Sequence, residues 1–306
     1  MAPGEVIRRV FSKALWFPRE VGSHISADAV RGYYVDLREA AQEEWPPSWL
    51  PRLKLHVGLC QYGLGSYERY LAGEGTQWLA TAVAAGDHLV DTQERGGPFD
   101  GGWVHRYPLP HTYSLLPPWL SGIAQGQAAS LLVRLYVATG DLRYATGAQN
   151  AVRPLLVPTE KGGLLASLDG GMFPEEFATD PPSFVLNGGI YAFWGDYDIW
   201  KGLGDAGARN RFEDGVETLA RNLHRWDAGY WSRYDLYPHR MLNLAAPWYH
   251  RLHICQLRVF DRIAPRSEFR EIGQRFEAYA SSPVNTTRAF AHKGFFRVLS
   301  PRKWKW

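Results

Sequence analysis

Apolar residues recur at helical spacing along most of this chain, in windows that fall into pairs. Helix-period stretches lie near 49–72, 117–138, 184–202 and 247–263, each followed by a second near 76–94, 141–156, 206–224 and 267–281. The linker within each pair is short and turn-like: AGEG at 72–75, TGD at 139–141, GLGD at 202–205 and APRS at 264–267. First members begin roughly 65 residues apart, and so do second members, which is the mark of repeated helical hairpins. The pattern predicts a mainly α fold, an incomplete (α/α) barrel of about four hairpins. Residues 1–48 read as an irregular lead-in with one short strand at Tyr33–Leu37, and residues 49–306 as one domain. Leu131, Leu132, Leu135, Val216, Leu219, Leu257 and Phe260 are the expected core.

Longer linkers, 95–116, 157–183 and 226–246, join the hairpins and are rich in Gly, Pro and aromatic residues. Each holds a short extended-looking segment, such as GGLLASL at 162–168 and GYWSRYDL at 229–236. Loops gathered at one end of a helical scaffold are the usual place for a site, so these linkers are expected to build a cleft. One side-chain amide falls near the first helix of each unit: Gln61, Gln125, Asn187 and Gln256. At equivalent positions they would gather at the middle of a ring of inner helices, although Gln and Asn are common enough to recur by chance.

Composition narrows the function classes. Thirteen Trp, sixteen Tyr and fourteen Phe suit a well-packed core or ring-stacking surfaces for sugars. A net charge of +3 admits an anionic ligand but lacks the basic runs of a nucleic-acid binder. Two distant cysteines, Cys60 and Cys255, give neither a disulfide framework nor a Cys-rich metal site. No apolar run of membrane-spanning length occurs, and the N-terminal residues lack a signal-peptide core, so a soluble cytoplasmic chain is expected.

Two segments carry candidate chemistry. In PEEFATDPPSFVLNG at 174–188, Glu175 and Glu176 precede a proline-marked helix start, with Asp180 or Ser183 as its cap. Neighbouring side chains on an extended segment point to opposite faces, so only one carboxylate can meet a ligand. A charged loop tip is the plainer account of the pair. The second constellation is YDLYPH at 234–239 followed by PWYHRLHICQL at 247–257. Pro247 suits a first helical turn, which brings Tyr249 and Arg251 to the positive end of the helix. A Tyr phenol has a reference pKa of about 10, so such help is needed for proton transfer near neutrality. Tyr249, His253 and Gln256 share one helical face. His250 and His253 lack an HExxH context and a third ligand, so no metal is expected and His253 reads as a core or supporting residue. No nucleophile elbow, P-loop or dinucleotide fingerprint is present.

These motifs resemble the C-terminal helical domain of the D-glucuronyl C5-epimerase family, in the order PPWLSGIAQGQAASLLVRLY at 117–136, PEEFATDPPSFVLNG, YDL at 234–236 and YHRLHICQL at 249–257. The likeness covers roughly residues 115–280. It implies an (α/α) barrel and an isomerase converting D-glucuronate to L-iduronate in an anionic polysaccharide such as heparosan, without a cofactor. It also implies catalytic roles for Glu176 and Tyr249 on opposite faces of the sugar, with Tyr234 as a further active-site tyrosine. Arg251 is chosen from its proximity to Tyr249 as the clamp on the substrate carboxylate. Asn187, Gln125, Gln256, His253, Phe177, Trp103 and His105 complete the expected binding set. One departure is EEFA where animal members read EEYP, so Phe177 keeps a ring but cannot move a proton. Rival readings are a polysaccharide lyase working through the same C5 carbanion, a glycosidase, and a non-catalytic uronate-polysaccharide-binding protein. Relatives dimerise, which makes a homodimer a further expectation. The C-terminal run at 295–306 reads as a binding tail or as a strand or loop packed on the barrel.

Overall fold

The structure, a computed structural model, describes residues 31–48, 50 and 55–301. Four helical hairpins follow one another: α1 (His56–Leu71) and α2 (Gln77–Thr92), α3 (Gly122–Thr139) and α4 (Leu142–Ala151), α5 (Leu186–Leu203) and α6 (Ala206–Asn222), α7 (Pro247–Ile263) and α8 (Ser267–Ser281). A further helix, α9 (Pro283–Leu299), packs on α8. Two small antiparallel ribbons lie in the linkers, β1 (Leu109–Pro110) with β2 (Ser114–Leu115), and β3 (Leu165–Leu168) with β4 (Gly171–Pro174). The mainly helical class and the hairpin order match the periodicity.

The first helices pack side by side in chain order, α1 on α3, α3 on α5 and α5 on α7, while each second helix packs on its own partner. Burial follows that arrangement. From Gly122 to Leu135 on α3, and from Leu186 to Ile199 on α5, every residue is buried, as for helices enclosed on all sides. The outer α6 buries one stripe, including Ala208, Phe212, Val216 and Leu219. All seven expected core residues are buried. Two hairpin turns share one chemistry: Gly140 and Gly204 adopt left-handed φ of 75° and 70° and stop α3 and α5. Asp141 and Asp205 then cap the next helix by accepting from the N–H of Arg143 and Ala208.

Glycines set the closest approach, that of α3 to α5. A Cβ on Gly126 would lie 2.2 Å from the Tyr191 carbonyl oxygen, and one on Gly195 would lie 2.9 Å from the Cα of Gly126. The same interface encloses an ion pair, Arg134 Nη1 to Asp198 Oδ2 at 2.6 Å, to which Tyr34 also donates. An enclosed pair of this kind is costly to break because the remaining charge stays buried.

Several expected boundaries shift. The helix foreseen from 184 starts at Leu186 with Val185 as N-cap and no side-chain cap, so neither Asp180 nor Ser183 caps it. Pro181 and Pro182 push their predecessors toward extended backbone, and Phe184 has φ of 49°, which interrupts any earlier helical turn. Likewise α3 begins after Pro117 and Pro118, with Ser121 accepting from the Ala124 N–H. α4 ends at Ala151, and a short 3-10 segment covers Arg153–Leu156. Tyr33–Leu37 is not a strand, since Val35 makes only a single bridge. Its Tyr33 N–H donates to the Glu68 carboxylate instead, and Tyr33, Tyr34, Val35 and Leu37 enter the core. The run from Phe295 is helical to Leu299, because Ser282 caps α9 and Pro283 occupies its first turn; residues 302–306 lie outside the described residues.

Candidate active site

Strand β4 ends at Pro174, and the next two residues send their carboxylates in different directions. Glu175 is wholly buried and accepts from the Ser183 hydroxyl at 2.6 Å, the Ser183 N–H at 3.2 Å and the Phe184 N–H at 2.8 Å. Burial pushes its pKa up to about 7 against the pull of those bonds. Its geometry is that of a staple on the turn entering α5. Glu176, 6% exposed, instead accepts from the Tyr234 hydroxyl at 3.0 Å. Burial pushes Glu176 up to about 8; the Tyr234 bond opposes this, and the charges of Glu175 and Asp235 reinforce it.

Two glycines at helix starts make room for this loop. The Gly122 N–H donates to the Glu176 carbonyl at 2.9 Å, and a Cβ on Gly122 would stand 2.2 Å from the Glu175 carbonyl oxygen. A Cβ on Gly188 would stand 2.6 Å from that of Glu176. The loop backbone therefore seats against the N-terminal end of α3, and the Glu176 side chain against bare backbone at the N-terminal end of α5.

Tyr234 joins this loop to α7. Its ring centroid lies 5.0 Å from that of Tyr249, edge to face, in the first turn of α7, which Pro247 opens as expected. Burial raises the Tyr234 pKa well above its ordinary value, so its phenol is a neutral donor. Next to it, Asp235 is fully buried and accepts from the Tyr113 hydroxyl and from Asn243 Nδ2, with His239 Nε2 at 3.2 Å. A cavity of about 70 Å³ opens over the two tyrosines, bordered also by Asn243 and Ala246. His111 and Thr112, in the β1–β2 turn, and Lys293 and Arg297, from α9, complete the lining. The linkers do build this region, since all three contribute to it or to the adjoining carboxylate.

The expected site residues divide. Glu176, Tyr234 and Tyr249 come together, and Phe177 packs beside them, its ring 5.3 Å from His111 and 5.7 Å from Trp119. The amides do not gather at one centre. Gln125 accepts from the Trp103 N–H at 3.2 Å and donates to the Ala151 and Gly101 carbonyls, tying a linker to the end of α4. Gln256 donates to the Asn187 carbonyl at 3.2 Å, joining α7 to α5. Trp103 is buried and donates its indole N–H to the Leu89 carbonyl. His105 stacks on Trp119 at 3.9 Å, beside His56, and burial lowers its pKa to about 4, leaving it neutral. His253 and His250 both place Nδ1 on the Ser232 hydroxyl, at 2.9 and 2.7 Å, and burial lowers both pKa values. Arg251 follows Tyr249 by two residues, about 200° round the helix, and is not part of the cavity lining.

Sequence reasoning missed Lys293, Arg297, Asn243, His111 and Thr112. The Ser282-Pro283 start of α9 was a readable signal, and Lys293 and Arg297 stand one helical turn apart, on either side of the buried Phe296 in sequence. Among the described residues, no group of three or more metal-ligating side chains converges, and no helix is long and apolar enough to cross a membrane.

Residues 100–278 match the family described as D-glucuronyl C5-epimerase C-terminus. The chain is 34% identical over 160 residues to an uncharacterised protein of Methanocaldococcus jannaschii, covering 51% of each. It is 31% identical over 216 residues to a D-glucuronyl C5-epimerase of Caenorhabditis elegans, covering 64% of this chain and 34% of that protein. It thus spans about half and about a third of the length of these two relatives. With more than half of its residues inside the matched region, the chain belongs to the D-glucuronyl C5-epimerase C-terminus family.

Proposed function

We propose that this chain epimerises uronate residues at C5 within an anionic polysaccharide, converting D-glucuronate to L-iduronate. On this reading residues 49–306 act as one catalytic unit, and the succession of inner helices is an incomplete (α/α) barrel closed on one side by the linkers. The observation that carries the reading is the cluster of buried Glu176 and Tyr234 with half-buried Tyr249, its carboxyl pushed up to about 8. The C5 proton is acidic only through the adjacent carboxylate, so a base with a pKa near the working pH is what removal demands.

In the proposed cycle one group breaks the C5–H bond and takes the proton. The electron pair passes into the carboxylate as an enediolate, and a second group on the opposite face returns a proton to C5. Glu176 and Tyr249 are the two groups, and their protonation states are reset by exchange with water. Tyr234 donates to Glu176 and holds its orientation. The reaction neither oxidises nor reduces the sugar, so its atom balance needs no redox partner. Family membership supports the reaction class.

Incubation of heparosan with the protein in deuterated water tests this reading. Deuterium at C5 is expected, and it should disappear in Glu176→Gln. Exchange that persists undiminished in that variant would refute the role of Glu176. An unsaturated uronate chromophore in place of exchange would mean β-elimination, and no incorporation into any uronate polymer would sink the catalytic reading.

A further inference from the structure

We infer that α9, which lies beyond the family-matched residues, supplies the carboxylate-recognition pair of the cavity, Lys293 and Arg297. The inference rests on the proposed uronate substrate. Its structural basis is the composition of the cavity wall. Lys293 and Arg297 reach the same small space as Tyr234 and Tyr249, and the remaining lining residues bring hydroxyl, amide and imidazole groups but no carboxylate. Two cations beside neutral donors, with no acid in the wall, make a site for an anion.

Each cation is held in position by specific bonds. Lys293 Nζ donates to Asn243 Oδ1 and to the Leu244 carbonyl, both at 2.6 Å, and sits 5.8 Å from the Tyr234 ring centroid. Arg297 Nη1 donates to Thr112 Oγ1 at 3.0 Å, which bridges α9 to the β1–β2 turn. Asn243 in turn donates to Asp235 beside Tyr234. The positive groups are thus fixed relative to the tyrosines, and a guanidinium offers a fork that suits the two oxygens of a carboxylate. Charge placed there favours the substrate anion and the enediolate that forms from it. Arg251, the candidate chosen from sequence, lies on another side of α7.

The test is binding of a glucuronate-containing heparosan tetrasaccharide, compared with the same tetrasaccharide after its carboxyl groups are reduced to alcohols. Calorimetry at low salt should show that the parent protein prefers the acidic form. Arg297→Gln and Lys293→Met should each weaken binding of the acidic form about tenfold while leaving the reduced form unchanged, and Lys293→Arg should restore the preference. Thermal unfolding of each variant identifies loss of folding, and Arg297, at an exposed position, serves where the Lys293 change unfolds the chain. Retention of the preference in the double variant would overturn the inference. Equal weakening for both sugars would also overturn it, because a structural role alone produces that pattern. Absence of C5 exchange alongside an Arg297-dependent carboxylate preference would refute the catalytic reading and leave this site standing. Normal exchange with an unchanged KM in Arg297→Gln would do the reverse.

Discussion

Tyr234→Phe is a sharp test of how the candidate base is tuned. The change removes one hydroxyl and keeps the ring that packs on Tyr249. That hydroxyl donates to Glu176 at 3.0 Å within a buried site, and it opposes the upward shift caused by burial. A hydrogen bond to a charged group contributes about 1.5–3 kcal/mol, and one pKa unit corresponds to about 1.36 kcal/mol. The Glu176 pKa should therefore rise by ~1–2 units from its value near 8. At pH 7 the ionised fraction falls a further ~10- to 100-fold, and the acid limb of kcat/KM for C5 exchange moves to higher pH by the same interval. A titration of carboxyl-13C-labelled glutamate, with Glu176→Gln identifying the resonance, reads the shift without any substrate. The sign carries over to stability. A carboxyl raised in the folded state contributes stability fully below its unfolded pKa, about 4.3, and loses it as pH climbs through about 8. Tyr234→Phe extends that loss upward. A Glu176 titration that stays in place or moves down in Tyr234→Phe would refute the account.

Other substitutions probe the scaffold. Glu175→Ala strands the Ser183 and Phe184 N–H groups at a turn with positive φ and should cost about 3 kcal/mol in urea unfolding, with Glu175→Gln costing less; a loss under about 0.5 kcal/mol would contradict the staple role. Gly126→Ala and Gly294→Ala should act with opposite sign. The first forces a Cβ to 2.2 Å from the Tyr191 carbonyl oxygen and costs about 1–3 kcal/mol. The second meets nothing within 4 Å on α9 and should gain about 0.5–1 kcal/mol. A Gly126→Ala variant that is not destabilised in denaturant titrations would refute the close approach of α3 and α5. His250, neutral and lowered to about 3, contributes stability that is complete above its unfolded pKa near 6.5 and fades as pH falls toward 3. His250→Gln should flatten the acid side of the stability–pH curve, and an unchanged slope would argue against a buried neutral imidazole.

Much of this protein was legible in its residues because local rules governed it. Helical periodicity, the Gly-Asp turns at Gly140 and Gly204, and the proline start of α7 all depend on neighbours in sequence, so hairpin order and the position of Tyr249 at a helix start followed directly. The alternation rule separated the faces of Glu175 and Glu176 in advance. Burial and the hydroxyl of Tyr234, some 58 residues away, then distinguished the two carboxylates physically.

Tertiary structure decided the rest because long-range partners choose among side chains that look alike in sequence. Gln125 and Asn187 occupied similar settings in the repeat, yet Gln125 turned to the Gly101 and Ala151 carbonyls and the Asn187 backbone accepted from Gln256. His105 and Trp103 stood in an aromatic linker and became core residues, while His111 and Thr112 in that same linker reached the cavity. The cations of the cavity come from α9, separated in sequence from Tyr234 and joined to it only by folding. Sequence by itself determined which elements form and which residue types could carry proton transfer, since backbone propensity and periodicity are local. Only the tertiary structure decided which of those groups lose water and meet, because desolvation and pairing across the fold set their charge and reach.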